Sequence, residues 1–127
     1  MTEAVPVLKD EHEQKPIPSV WRSTFSDIVE ALKQGDYGLT RGVASVRPIS
    51  AEKAAGIARY IKNYGAHLIS LPEEAWQTSV CQWMRDYWDV LIDLYTIEEG
   101  ASDLALAVRV YEEGSAYAFE VHLVYVP

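Results

Sequence analysis

Three runs decide the fold: Tyr87-Trp-Asp-Val-Leu-Ile-Asp-Leu-Tyr-Thr96, Asp103-Leu-Ala-Leu-Ala-Val-Arg-Val-Tyr111 and Tyr117-Ala-Phe-Glu-Val-His-Leu-Val-Tyr-Val126. Each is rich in β-branched, aliphatic and aromatic residues at period two, and short segments bearing Gly100 and Gly114 separate them. That combination predicts an antiparallel meander.

Turn chemistry sets the expected registers. Pairing Ile97 with Ala101 leaves Glu98-Glu99-Gly100 as a three-residue loop, closed by a glycine in the left-handed region where a Cβ would clash. The second turn is expected to place Glu113-Gly114 at its tip and to pair Glu112 with Ser115. Alternation then gives one face to Trp88, Val90, Ile92, Leu94, Leu104, Leu106, Val108, Val110, Tyr117, Phe119, Val121, Leu123 and Tyr125. No charge falls on that face. An apolar surface of this size needs cover, and helices in the N-terminal half are the available cover.

The opposite face receives Asp89, Leu91, Asp93, Tyr95, Asp103, Ala105, Ala107, Arg109, Tyr111, Ala118, Glu120, His122 and Val124. The expected registers set Asp89 opposite Arg109, Asp93 opposite Ala105, Ala105 opposite His122 and Ala107 opposite Glu120. Two alanines then form a floor, with Asp93 on one side and Glu120 and His122 on the other.

Upstream, residues 1–17 mix Pro6, Pro16 and charges with few apolar residues and read as a flexible tail, His12 included. Residues 18–127 read as a single α+β domain. Val20, Trp21, Phe25, Ile28, Val29 and Leu32 recur at helical spacing behind Ser19 as N-cap, and Gly35 ends the run. A second helix opens with Ile49 as staple and Ser50 as N-cap. It carries Ala54, Ile57, Ala58, Ile61 and Tyr64 on one face and stops at Gly65. Short strands are expected at Val43–Val46 and His67–Leu71. Pro72–Trp76 reads as a helical turn and Thr78–Met84 as a strand, with Arg85-Asp86 as a hairpin tip and Cys81 inward beside Val90. The predicted architecture is two N-terminal helices packed on one face of a four- or five-stranded antiparallel meander sheet.

A chain of 127 residues suits one domain that buries roughly two-thirds of its unfolded surface. No run approaches the ~18 apolar residues of a membrane span, and Met1–Lys15 lacks the apolar core of a signal peptide. One cysteine allows no internal disulfide and no thiolate zinc site, so a reducing cytoplasm is expected. The net charge of −8 is uneven. Residues 1–64 hold nine Lys/Arg against eight Asp/Glu, whereas residues 65–127 hold two, Arg85 and Arg109, against eleven. A half so poor in cations argues against nucleic acid and for a basic protein partner, or for solubility alone.

No complete catalytic set emerges. Cys81 and His122 fall on opposite faces, and Ser102 sits at a strand start without a nucleophile elbow, where its expected role, with Asp103, is to hydrogen-bond loop backbone beside Gly100. His122, Glu120 and Asp93 are the sharpest candidate metal set. Their strands place Asp93 and His122 about 10 Å apart, too far for short side chains to share an ion. No phosphate loop, CxxC or HExxH is present. No metal, cofactor or catalytic residue is therefore assigned.

The run Trp88-Asp-Val-Leu-Ile-Asp-Leu-Tyr-Thr-Ile-Glu-Glu-Gly-Ala-Ser-Asp-Leu104 resembles a family of small bacterial domains of unknown function with a W-x-V-x-x-D-L-x-T-x-E-E-G-x-S-D-L pattern. Glu98, Glu99, Gly100, Ser102 and Asp103 match its loop position by position. The likeness takes in Ser50, Leu71-Pro72-Glu73 and the closing Val121–Val126 strand, so it covers most of residues 20–126. It implies a bacterial origin and an α+β fold, and no activity.

The leading functional expectation is a non-enzymatic, immunity- or antitoxin-like protein-binding module. Its acidic sheet face and Glu98–Asp103 loop would meet a basic partner through Asp89, Asp93, Glu98, Glu99, Ser102, Asp103, Arg109, Glu120 and His122. The alternative is a small-ligand or hydrolytic site in a cone similar to cystatin- or NTF2-like domains. Homodimerisation through Leu91, Tyr95, Tyr111 and Val124 is a third.

Overall fold

The computed structural model describes residues 7–127. Of the expected tail, residues 1–6 lie outside the described residues. Residues 7–17 run along the sheet instead of leaving it. Leu8 and Glu11 offer their carbonyls to Trp88 Nε1 (3.0 Å) and Gln82 Nε2 (2.8 Å), and β1 (Lys15–Pro16) pairs with the next strand of the sheet. Ile17 is wholly buried.

Helix α1 (Ser19–Lys33) buries Trp21, Phe25, Ile28, Val29 and Leu32, the stripe that the sequence spacing marks. Val20, placed on that stripe by sequence, is instead half exposed. Pro18 rather than Ser19 occupies the N-cap, without a side-chain bond. At the other end Gly35 adopts φ +82. Its N–H donates to Leu32 O, and that of Asp36 donates to Ala31 O, which satisfies carbonyls the helix leaves over. Helix α2 (Ala51–Tyr64) is capped by Ser50, whose hydroxyl accepts from Lys53 N–H, and ends at left-handed Gly65.

The expected strands at Val43–Val46 and His67–Leu71 shrink to single bridges, Val46 with Phe119 and Leu68 with Thr96. The helical turn falls slightly later than read, as α3 (Ala75–Thr78). The following strand is shorter, β2 (Val80–Trp83). Then come β3 (Trp88–Thr96), β4 (Gly100–Glu113) and β5 (Ala116–Tyr125). The sheet is a five-stranded antiparallel meander in the order β1-β2-β3-β4-β5. With helices before most of the strands, the class is α+β.

Both large helices contribute to one apolar core on the Trp88/Val90/Ile92/Leu94 face. Its centre is aromatic. Trp21 meets Trp88 edge-on at 5.2 Å, and Phe25 meets Phe119 at 5.4 Å, the arrangement favoured by ring quadrupoles. The free edge of β5 is covered. Phe119 exchanges backbone bonds with Ser45 and Arg47, Lys53 Nζ donates to Val121 O, and Val126 N–H donates to Tyr60 OH. Such cover keeps an edge strand from pairing with other chains.

Two registers differ from expectation. Between β3 and β4 the loop is Ile97-Glu98-Glu99, because Thr96 pairs with Gly100 and Tyr95 with Ala101, not Ile97 with Ala101. The offset is absorbed by a bulge opposite Leu94, so Asp89 still faces Arg109 and Asp93 still faces Ala105. Between β4 and β5 the turn tip is Gly114-Ser115, with Glu113 paired to Ala116. Arg109 thus faces Glu120, and after a second bulge at His122, Ala107 faces Leu123 and Ala105 faces Tyr125. That bulge reverses the last residues of β5. Val124 enters the core, while Leu123 and Tyr125 move to the outer face.

Candidate functional site

The nine residues singled out by sequence separate into two groups. Glu98, Glu99, Ser102 and Asp103 lie at the β3–β4 hairpin and are tied to the protein itself. Glu98 accepts from the His67 backbone N–H at 2.8 Å and meets His67 Nδ1 at 2.6 Å. These bonds hold its carboxyl down at about 2. Glu99 accepts from Tyr64 OH at 2.9 Å, and Asp103 N–H donates to the same oxygen at 3.3 Å. The Glu99 contact comes first in raising the Tyr64 hydroxyl above its ordinary range. Ser102 sits in the bulge, where its Oγ donates to Leu94 O (2.7 Å) and accepts from Leu104 N–H (3.1 Å). The Glu-Glu-Gly-x-Ser-Asp loop is therefore a clasp that fastens the hairpin to the end of α2.

Asp89, Asp93, Arg109, Glu120 and His122 lie on the outer sheet face. Directly paired positions form cross-strand rows there. One row reads Gln82-Asp89-Arg109-Glu120 and the next Val80-Leu91-Ala107-Leu123. The alanine floor exists and is wider than expected: Ala105, Ala107 and Ala118 are all buried. Small side chains there leave a half-open groove of about 370 Å³ above Ala107, bounded by Leu91, Leu123, Tyr125, Asp89, Arg109 and His122. Asp93 and His122 are not brought together, since Ala105 separates Asp93 from Tyr125 in their row.

Charge on this face is only partly compensated. Arg47, absent from the sequence candidates, reaches Glu120 at 3.0 Å and Glu113 at 2.9 Å, with its guanidinium 4.3 Å from the Tyr111 ring centre. Its weak strand context at Val43–Val46 was the only available signal, and nothing in that segment announces a long-range pairing. Arg109 stacks 4.6 Å over Tyr87. The Tyr111 hydroxyl and, more weakly, the charge of Asp89 favour its protonated form. Burial, then the charges of Glu74 and Asp93, raise the Tyr95 hydroxyl. Cys81 faces inward opposite Val90, as its register predicts, and burial pushes its thiol up to about 11. That rules it out as a resting thiolate nucleophile. Among the described residues, no group of three His, Cys, Asp or Glu is arranged to hold a metal ion, and no helix is long and apolar enough to cross a membrane.

The model of a family described as a domain of unknown function, DUF7668, matches residues 29–127. No curated protein and no solved structure matches the chain.

Proposed function

The chain belongs to the DUF7668 family of domains of unknown function, a membership that brings no activity with it, and we propose that it is a non-catalytic binding module whose outer sheet face engages a basic protein partner. The observation that carries this reading is the state of β3. Asp89 and Asp93 lie on β3 beside the alanine floor, and among the described residues neither forms an ion pair, although Lys9, Arg47 and Arg85 are all paired with other acids. Unpaired carboxylates beside a half-open, partly apolar groove suit Lys or Arg side chains of a partner, whose arrival they would steer. Nucleic acid is the poorer fit, because the sheet half has only Arg85 and Arg109 as cations. An immunity- or antitoxin-like role in a bacterial cytoplasm is the concrete form we favour, and a single buried thiol suits that compartment.

Capture with the tagged chain in its native host tests the reading. A basic partner is expected, with affinity that falls steeply between low and high salt and falls again in a D89N/D93N double variant. Salt-insensitive capture, or equal capture by the double variant, overturns it. A second copy of this chain on the same face would appear in sedimentation as a dimer.

A second reading, a small-ligand site, is favoured by the groove above Ala107. The helix–sheet interface, where a cystatin- or NTF2-like cone would hold its ligand, is filled here by Trp21, Phe25 and Ile28. A ligand would therefore sit on the opposite face.

A further inference from the structure

The groove presents two opposite charges at its rim and an aliphatic floor between its walls. Arg109 lines it with its guanidinium 4.6 Å over the Tyr87 ring, and no carboxylate among the described residues comes within 4.0 Å of that group. Both of its register neighbours are acids, yet Glu120 is turned to Arg47. Asp89, exposed and directly opposite Arg109, is left as the negative charge of the rim. One row further along, Ala107 lies between Leu91 and Leu123. The volume of about 370 Å³ falls within the range of small-molecule sites, roughly 300–1,000 Å³.

This pattern selects among ligands by charge. A simple carboxylate would approach Arg109 against the field of Asp89, and a simple amine would approach Asp89 against that of Arg109. A molecule with both charges on one carbon and an aliphatic tail meets all three surfaces at once. We propose that the groove binds a free α-amino acid with an aliphatic side chain: its carboxylate on Arg109, its ammonium on Asp89, its tail over Ala107. The inference rests on the small-ligand reading above.

Amide-resolved NMR of the full chain tests it, with L-leucine, 4-methylpentanoate (leucine without its amine) and 3-methylbutylamine (leucine without its carboxylate) as probes. Leucine is expected to shift the amides of Leu91, Ala107 and Leu123 saturably, about tenfold more tightly than either analogue. D89N, a change at an exposed position, is expected to erase the advantage of leucine over 4-methylpentanoate. If either analogue binds as tightly as leucine, or if D89N keeps the advantage, the amino-acid assignment fails and the ligand site stands. If none of the three shifts these amides up to about 20 mM, both fail.

Discussion

The carboxylate of Glu98 grips His67 twice, at its backbone N–H (2.8 Å) and at its ring Nδ1 (2.6 Å). The pair joins the β3–β4 hairpin to the segment that follows α2. Beside it the Ile97 N–H donates to His67 O at 2.9 Å. A side chain that sequence places at a partner-facing loop is thus occupied by the protein's own backbone.

Acid should release this clasp. The Glu98 carboxyl titrates at about 2 in the fold, below its ordinary 4.5. A depressed carboxyl stabilises the fold above its unfolded value and loses that contribution as pH falls from about 4.5 toward 2. E98Q should therefore melt below the wild type at neutral pH, and the gap should close as pH approaches 2. A gap in melting temperature that stays constant from pH 7 to pH 2 would show that the charge of Glu98 is not what fastens the hairpin.

Ser102 makes a second, pH-independent prediction. Its hydroxyl bridges Leu94 O and Leu104 N–H across the bulge, where the two strands are out of step. Ser102→Ala strips one partner from each backbone group, a loss of about 1–3 kcal/mol. Urea unfolding measures it directly, and S102T, which keeps the hydroxyl, should recover most of it. An alanine variant as stable as the wild type would mean that the bulge does not need this bridge.

Much of this arrangement was legible in the sequence because β3 alternates cleanly. Asp89 and Asp93 interrupt an otherwise apolar run at even spacing, so Asp89 opposite Arg109 and Cys81 opposite Val90 follow without structural knowledge. The end of β5 was not legible. Val121, Leu123, Val124 and Tyr125 are all apolar enough for either face, and polarity gives no sign of the bulge at His122 that swaps Leu123 with Val124. The β4–β5 turn misled for a related reason: Glu113-Gly114 and Gly114-Ser115 are both acceptable tips, and two residues of slip carry every side chain to the same face. Arg47 lay beyond reach because it joins the outer face only through a single bridge between Val46 and Phe119, too short a pairing to leave a period.

Gly56 within α2 and Gly65 at its C-cap should respond in opposite directions. Gly56 lies inside the helix, and a Cβ there would meet nothing within 4 Å. Gly56→Ala should therefore stabilise by about 0.5–1 kcal/mol through the unfolded chain's reduced freedom. Gly65 has equal space but sits at φ +83, so Gly65→Ala should destabilise by roughly 1–2 kcal/mol. Denaturant midpoints of the two variants, compared in one buffer, check both signs. A destabilising G56A would mean that the helix ladder around Gly56 is less regular than its hydrogen bonds imply.

Cys81 reports on whether β1 stays docked. Its side chain is only 2% exposed, its Sγ lies 3.5 Å from Pro16 O, and burial lifts the thiol to about 11. At neutral pH the thiolate is then a fraction on the order of 10⁻⁴. Both obstacles share a cause, since the pairs Lys15 with Cys81 and Pro16 with Val80 close the edge of β2. A disulfide reagent such as Ellman's should therefore label the native chain far more slowly than the unfolded chain. Removing residues 1–16 should speed labelling by orders of magnitude while the far-UV signature of α1 and α2 persists, because Trp21 and Phe25 keep their own contacts with Trp88 and Phe119. If the shortened chain labels no faster than the intact one, access to Cys81 is governed by opening of the whole core, and β1 adds little to the protection of this edge. If the intact chain labels at the rate of a free thiol, the buried placement of Cys81 against Val90 is itself refuted.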